Sequence, residues 1–540
     1  MRLPIFRSFR SIHFSRVALR KTCATAVIAS QLLLPFSSPV RAQLLPGMGD
    51  GGEMTASAER RLGDQIAREL YREPDFIDDP VLVDYVQSIW TRLLSAARVR
   101  GELTPELDER FAWTLLLGRD RSINAFALPG GYLGMHLGLI AATDSSDEIA
   151  TVLGHELSHV TQRHIARMMS KQSRQMPLLL AAMVLGMVAA AKSRSGDAGQ
   201  AVVMGTQAMA MQNQLDFSRD MEREADRIGF GVMTQAGFAP EGAASMFEKL
   251  QYASRLNDNG SYPYLRSHPL NSERISDMQA RFQFKNSTDT PAVPGRISAL
   301  PPKMDHAMIA ARARVLSQPG VDVLRQWTVA ASPSSGDLAR QPAARQAGVL
   351  YAAALSSVEL HENAAARALA ERLSPLTKDD PAAARLTRLL QAEIELAAGA
   401  APRAAALLGG SGVRDAGKRE RPELLLAAQV AIALRQPDPM IAPLRDWVAV
   451  HPRDALAWRT LGNLYGAQND TLRAVRADAE ANVAILDYAA ARDRLKAAQT
   501  LASQGGNSGV VDHYEASIVD TRARAVETLW REQQEDKPLR

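Results

Sequence analysis

The chain has 540 residues, 46% of them apolar and 23% charged, a balance ordinary for a folded protein with room for several domains. Its formal net charge of +4 is concentrated at one end. Seven of the 63 basic residues and none of the 59 acidic ones fall in the first 42 positions, which leaves 56 basic against 59 acidic groups and no electrostatic case for nucleic-acid binding.

Those 42 residues read as a secretory signal peptide: an arginine-rich start, an uncharged Ala24–Pro35 and the small-residue Val40-Arg41-Ala42 before Gln43, with an amphipathic organelle presequence as the alternative. The single cysteine, Cys23, lies inside this segment, so the mature chain would depend on packing and metal rather than disulfides. Residues 43–53 are glycine-rich and expected to be flexible. A helical pattern follows from Ser57 to Leu70. A second, after Pro80, puts Val83, Val86, Ile89, Trp90, Leu93 and Leu94 on one face. Strands are expected at 111–117, 123–128 and 132–135, the last two joined by a Pro129-Gly130-Gly131 turn. If the segment Asn124, Ala125, Phe126 and Ala127 is an exposed edge strand, it can pair with an extended peptide; the plainer reading is a hairpin with no such role. His136 is expected to be structural.

Within Thr151–His159 the chain reads H-E-x-x-H. Residues four apart on a helix differ by about 40° in direction and roughly 6 Å in height, so His155 and His159 face a common point where two imidazoles can share one zinc ion. Glu156 is placed to take a proton from a metal-acidified water and pass it to the leaving amine. His164 lies roughly 140° round the helix from His159 and is not expected to face the same ion. The uncharged run Met176–Ala191 is short for a membrane span, which needs about 20 residues, and is interrupted by Pro177 and Gly186. It reads as a core helix or lid, with peripheral membrane contact as the alternative. A third ligand is available in Ser218–Asp226. Glu222 and Asp226 share a helix face, so Glu222 can ligate while Asp226 orients a ligating histidine through its second ring nitrogen. Glu224 points about 200° away and should be solvated or ion-paired.

From Asn286 to Lys303 the chain is rich in proline, serine and threonine and reads as a linker. Beyond it the sequence is alanine-rich and helical. Trp458-x-x-Leu461-Gly462-x-x-Tyr465 matches the first helix of a tetratricopeptide repeat, and Tyr488-x-x-Ala491-x-x-x-Leu495-x-x-Ala498 a second helix, with weaker echoes at Asn363–Leu373 and Ala404–Leu408. Such repeats form concave surfaces that grip peptides or partner proteins.

The H-E-x-x-H of His155, Glu156 and His159, the distant E-x-x-x-D of Glu222 and Asp226, the segment Asn124–Gly131, and His268-Pro269 with Arg274 together resemble the zinc metallopeptidases that include HtpX and the CAAX prenyl proteases. The resemblance covers residues 54–284. It implies an α+β zincin of gluzincin type, mostly helical with a small sheet, holding one Zn2+ per chain on His155, His159 and Glu222. Glu156 would then be the catalytic base, and Asp226 the orienter or, by analogy, a proton donor. His268, which follows a loop containing Asn257–Gly260, then has three readings: a fourth ligand that latches the site shut until that loop moves, a partner of Arg274 in binding the oxyanion of the intermediate, or a surface histidine before a proline with no role. The expected organisation is signal peptide 1–42, flexible segment 43–53, peptidase 54–284, linker 285–304 and an all-α tetratricopeptide-like repeat domain 305–540. With those repeats, the resemblance implies a periplasmic enzyme acting on unfolded or stalled outer-membrane proteins, in partnership with the β-barrel assembly machinery. The competing reading is a chaperone or adaptor working through residues 305–540, with a latent or structural zinc site.

Overall fold

The computed structural model describes residues 54–171, 219–255, 262–286, 303–332, 338–409, 420–504 and 512–535. The expected leader 1–42, the segment 43–53, the run 176–191, the loop 257–260 and residues 287–302 of the linker lie outside the described residues.

Helix α1 (Ala56–Arg72) starts where the Thr55 hydroxyl accepts the Ala58 N–H at 3.2 Å. Helix α2 (Pro80–Val99) starts at Asp79, whose carboxylate accepts the Leu82 N–H at 2.9 Å, with Pro80 in the first turn where no N–H is needed. Its face of Val86, Ile89, Trp90, Leu93 and Leu94 is buried as the periodicity predicts, and Val83 is half-buried. The strand expected from residue 111 begins later. Phe111 closes a short helix, α3 (Pro105–Arg110), and Trp113 takes a left-handed φ of 50°, so β2 runs only over Thr114–Gly118. With β1 (Phe76–Ile77), β3 (Ala125–Leu128) and β4 (Tyr132–His136), it forms a four-stranded mixed sheet in the order β1-β2-β4-β3. β3 is therefore an edge strand, paired antiparallel to β4 with Ala125 opposite Met135.

The sheet leads through α4 (Leu137–Ala142) into α5 (Ser146–Thr161), the helix that carries H-E-x-x-H. Its start is reciprocal: the Ser145 hydroxyl accepts the Glu148 N–H at 3.3 Å, while the Glu148 carboxylate accepts the Asp144 N–H at 2.7 Å. Every residue from Asp147 to Thr161 is buried, so α5 is the core about which the first half is packed. Helix α6 (His164–Lys171) follows, then α7 (Arg219–Gln235), α8 (Glu241–Arg255), the single turn α9 (Tyr264–Ser267) and α10 (Ser272–Asn286).

Helix α7 crosses α5 at two glycines. A Cβ on Gly229 would lie 2.8 Å from the Gly154 carbonyl carbon and from the His155 nitrogen, so this crossing admits no side chain. That close approach brings the acidic residues of α7 within reach of the histidines of α5.

The chain continues with α11 (Met304–Leu316), buried on nearly every side and packed against α4, α2 and α13 (Ala343–Glu359). Between them runs α12 (Val321–Ala330), and after them α14 (Asn363–Thr377), α15 (Pro381–Ala397), α16 (Ala401–Leu407), α17 (Arg421–Ala433), α18 (Asp438–Val450), α19 (Ala455–Ala467), α20 (Thr471–Ala484), α21 (Tyr488–Ser503) and α22 (His513–Glu535). The Trp458 helix α19 does not pair next with the Tyr488 helix. Asn469 takes a left-handed φ of 63° and Asp470 caps a further helix, α20, which packs on α19 and is in turn followed by α21. No helix among the described residues is long and apolar enough to cross a membrane.

Gly229→Ala is expected to cost about 1–3 kcal/mol through overpacking of backbone against backbone. Gly466→Ala, at a helical position with nothing within 4 Å of the new methyl, should be neutral or stabilising by up to about 1 kcal/mol. Thermal unfolding of the two variants against the parent chain measures the difference; equal melting temperatures would contradict the packing described.

Candidate metal centre

The α5–α7 crossing sets the imidazoles of His155 and His159 against the carboxylate of Glu222. His155 Nε2 lies 2.9 Å from His159 Nε2 and 3.4 Å from Glu222 Oε2, and His159 Nε2 lies 3.5 Å from Glu222 Oε1. His268, directly after α9, adds its Nδ1 at 3.4 Å from His155 Nε2 and 3.0 Å from Glu222 Oε1. One donor atom from each of these four buried residues falls within 4.8 Å of all the others. A tetrahedral ion with bonds of about 2.0–2.1 Å holds its donors roughly 3.3 Å apart, which matches these separations.

The hydrogen-bond partners assign the tautomers. His155 Nδ1–H donates to Asp226 Oδ1 at 2.9 Å, leaving a lone pair on Nε2. His164 Nε2 lies 3.1 Å from Glu224 Oε2 and donates to it, so His164 Nδ1 accepts from His159 Nδ1 at 2.9 Å. His159 Nε2 then also carries a lone pair. With His155 neutral, two lone pairs would face each other at 2.9 Å beside a carboxylate, so the gap is filled either by a proton on His155 Nε2 or by a metal ion, and the donor set fits the ion.

Charge placement agrees. Burial works against a protonated His155, but hydrogen bonds to Asp226 and Glu222 outweigh it and push its pKa up to about 10. Burial and the His155 charge hold the pKa of His159 far down. In the metal-free protein one proton thus sits where the ion would, and metal binding must displace it. Glu222 is held well below the usual carboxylate range, because His268 and His155 overcome its burial. Arg274 secures the acids: its Nε and Nη2 donate to the two Asp226 oxygens at 2.7 and 2.8 Å, and its Nη1 lies 2.8 Å from Glu222 Oε2 and 2.9 Å from the Pro269 carbonyl. The structure thus commits this guanidinium to the carboxylates on which the sequence reading placed ligand and orienting roles.

Glu156 is wholly buried, and neither of its oxygens has a hydrogen bond of normal geometry; His268 Nε2 lies 3.4 Å from Oε1. Burial pushes its pKa up against the pull of His268 and His155, towards the range useful to a general base. The edge strand β3 packs against α5. The Tyr264 N–H of α9 reaches the Ile123 carbonyl at 3.4 Å, so the segment bearing His268 leans on the chain that enters β3. His136 stays apart, its Nδ1 2.8 Å from the Ser122 hydroxyl.

Sequence reasoning missed the place of His164. Arg163 takes a left-handed φ of 51°, which ends α5 and turns His164 back onto the far nitrogen of His159. It remains outside the donor cluster yet holds one of its members. Glu224 is ion-paired, as expected for its direction, with Arg167 at 2.9 Å.

Residues 84–282 match the model of peptidase family M48. The chain is 33% identical over 346 residues to a putative beta-barrel assembly-enhancing protease of Vibrio cholerae, a match covering 62% of this chain and 64% of that protein. It is 34% identical over 279 residues to the beta-barrel assembly-enhancing protease of Escherichia coli, covering 51% and 53% respectively. Both matches span less than two thirds of the relative's length. Against the protein of the same name from Yersinia pestis it is 29% identical over 456 residues, covering 82% of this chain and 86% of the relative.

His164→Phe should weaken metal affinity about 10–100-fold, the usual cost of losing the group that orients a ligating histidine. Competition against a chromogenic chelator measures it, and an unchanged affinity would contradict the orienting role.

Proposed function

We propose that the chain is a peptidase of family M48, whose model residues 84–282 match, and that it is a zinc-dependent endopeptidase of the periplasm acting on unfolded or stalled outer-membrane proteins. The observation that carries the reading is a buried donor cluster with a buried carboxylate, Glu156, beside it. His155, His159 and Glu222 would hold one zinc ion, which supplies polarisation of the scissile carbonyl and acidification of a water molecule. Glu156 takes the proton of the attacking water on its carboxylate and delivers it to the nitrogen of the leaving amine. Asp226 keeps His155 in the tautomer whose Nε2 can ligate, and Arg274 holds Asp226 and Glu222 in place.

An extended substrate lies along the edge of β3 that no strand pairs among the described residues, bonded through its backbone to Asn124–Ala127. Recognition through backbone suits unfolded chains of varied sequence. His268 gives the cluster a fourth donor, the count of a closed site, so in this reading it is a latch that must swing out before a substrate can bind. Export rests on the arginine-rich leader. The client class and a partnership with the β-barrel assembly machinery rest on the helices after Met304, read as tetratricopeptide-like repeats, and on relatives named for enhancing β-barrel assembly.

The four-donor arrangement also favours a second reading, a chaperone or adaptor acting through the helical repeats with its metal site permanently closed. Casein degradation with metal content measured on the same samples separates the two. Glu156→Gln should retain about one zinc per chain and lose activity by a factor of about 100 or more. His268→Ala should also keep its zinc and cut faster than the parent. If all three proteins bind zinc and none cuts, the peptidase reading falls and the adaptor reading stands.

A further inference from the structure

A second concave site lies away from the metal, between the Thr143-Asp144 connection, α11, α12 and α13, with a cavity volume of about 340 Å³. That is within the range of pockets that hold small ligands. Its lining includes the small residues Ala310, Gly348 and Ala352 and the indole of Trp327. Two guanidinium groups border it, those of Arg314 and Arg345.

These two arginines stand out by what they lack. On the same helix, Arg312 is clamped by Asp79 at 2.7 Å and Glu393 at 2.8 Å. Arg314, two positions on, donates only to the Ala141 carbonyl, at 3.2 and 2.8 Å, and Arg345 makes no ion pair or hydrogen bond among the described residues. The other ionisable groups of the pocket are accounted for. Asp144 is paired with Lys249 at 2.6 Å, and His306 bonds through Nδ1 to the Tyr85 hydroxyl at 2.7 Å and through Nε2 to the Thr143 carbonyl at 3.0 Å. Enclosure lowers the Arg314 pKa and the Arg345 charge lowers it further, against an upward pull from Asp144. Two guanidiniums of exposed arginines therefore border one apolar and aromatic pocket, with one carboxylate also lining it.

We propose that this pocket binds the free carboxy terminus of a peptide whose last side chain is apolar or aromatic, the carboxylate lying between Arg314 and Arg345 and the side chain against Trp327. Guanidinium groups match the planar carboxylate, and the small-residue lining leaves room for one side chain entering end-on. A dianion such as phosphate fits less well, because the apolar lining gains nothing from it. The site would capture chain ends rather than internal sequence. It stands independently of the peptidase reading, since binding here needs no cleavage.

The test uses the full-length, metal-loaded chain with Glu156→Gln, so that probe peptides stay intact. Fluorescence polarisation compares a labelled alanine-rich peptide ending in phenylalanine with a free carboxylate and the same peptide amidated. The acid should bind about tenfold or more tighter than the amide, the scale expected for loss of a charge-assisted pair. Arg345→Gln, which removes a side chain with no partner and should not disturb folding, is expected to abolish that difference, as is Arg314→Gln. Equal binding of acid and amide, indifference to Arg345→Gln, or no binding up to about 1 mM peptide would each overturn the proposal. Displacement by millimolar inorganic phosphate but not by a free-carboxylate tripeptide would overturn it in favour of a phosphate site.

Discussion

Three carboxyl groups, those of Glu156, Glu222 and Asp226, are buried around the imidazoles of His155, His159 and His268 with a single guanidinium, Arg274, to balance them. With all three ionised the site carries two negative charges in excess, the charge of one divalent ion. Unpaired buried charge is among the most costly things a protein can hold, so the ion and the fold depend on each other. The α5–α7 glycine crossing, the bidentate grip of Arg274 on Asp226, and the fixed tautomers of His155 and His159 all serve that balance. Removing the arginine alone would leave two acids without a cation, which is why its donors are spent on them.

The same solution recurs at larger scale. Asp78, Asp79 and Asp84, at and beside the start of α2, each take an arginine from a different later helix: Arg421 at 2.7 Å, Arg312 at 2.7 Å and Arg385 at 2.9 Å. Arg312 is almost fully buried, and breaking such a pair typically costs about 3–5 kcal/mol because the remaining charge is stranded. The net stabilisation from the intact pairs is smaller; what they supply is register. Helices α11, α15 and α17 are thereby keyed to one stretch of α2, the helix that packs against the metal-bearing α5.

Much of the metal centre was legible in the sequence because it is local. The i, i+4 spacing of His155 with His159 and of Glu222 with Asp226 survives any tertiary arrangement, so their shared faces could be read directly. The small sheet was legible through its alternation and the Pro129-Gly130-Gly131 turn, although the left-handed Trp113 delays the first strand. His164 was rightly set apart from the ion, but its contact with His159 could not be read along a continuous helix, because Arg163 breaks the helix and brings His164 back to His159. Arg274 could not be read as the partner of Glu222 and Asp226, because that contact spans some fifty positions and depends on how α10 docks against α7. In the later helices the Trp458–Tyr465 and Tyr488–Ala498 patterns carried a signature, with weaker echoes at Asn363–Leu373 and Ala404–Leu408. The intervening α20 has a weaker one and was passed over.

The central claim is that His155, His159, Glu222 and His268 surround one ion. X-ray absorption at the zinc edge, on the Glu156→Gln chain loaded with one equivalent of zinc, tests it most directly. The account predicts four nitrogen or oxygen ligands at about 2.0–2.1 Å, with imidazole scattering from three rings that falls to two in the His268→Ala variant. Scattering unchanged by that substitution, or a shell of six oxygens, would place the metal elsewhere and contradict the account.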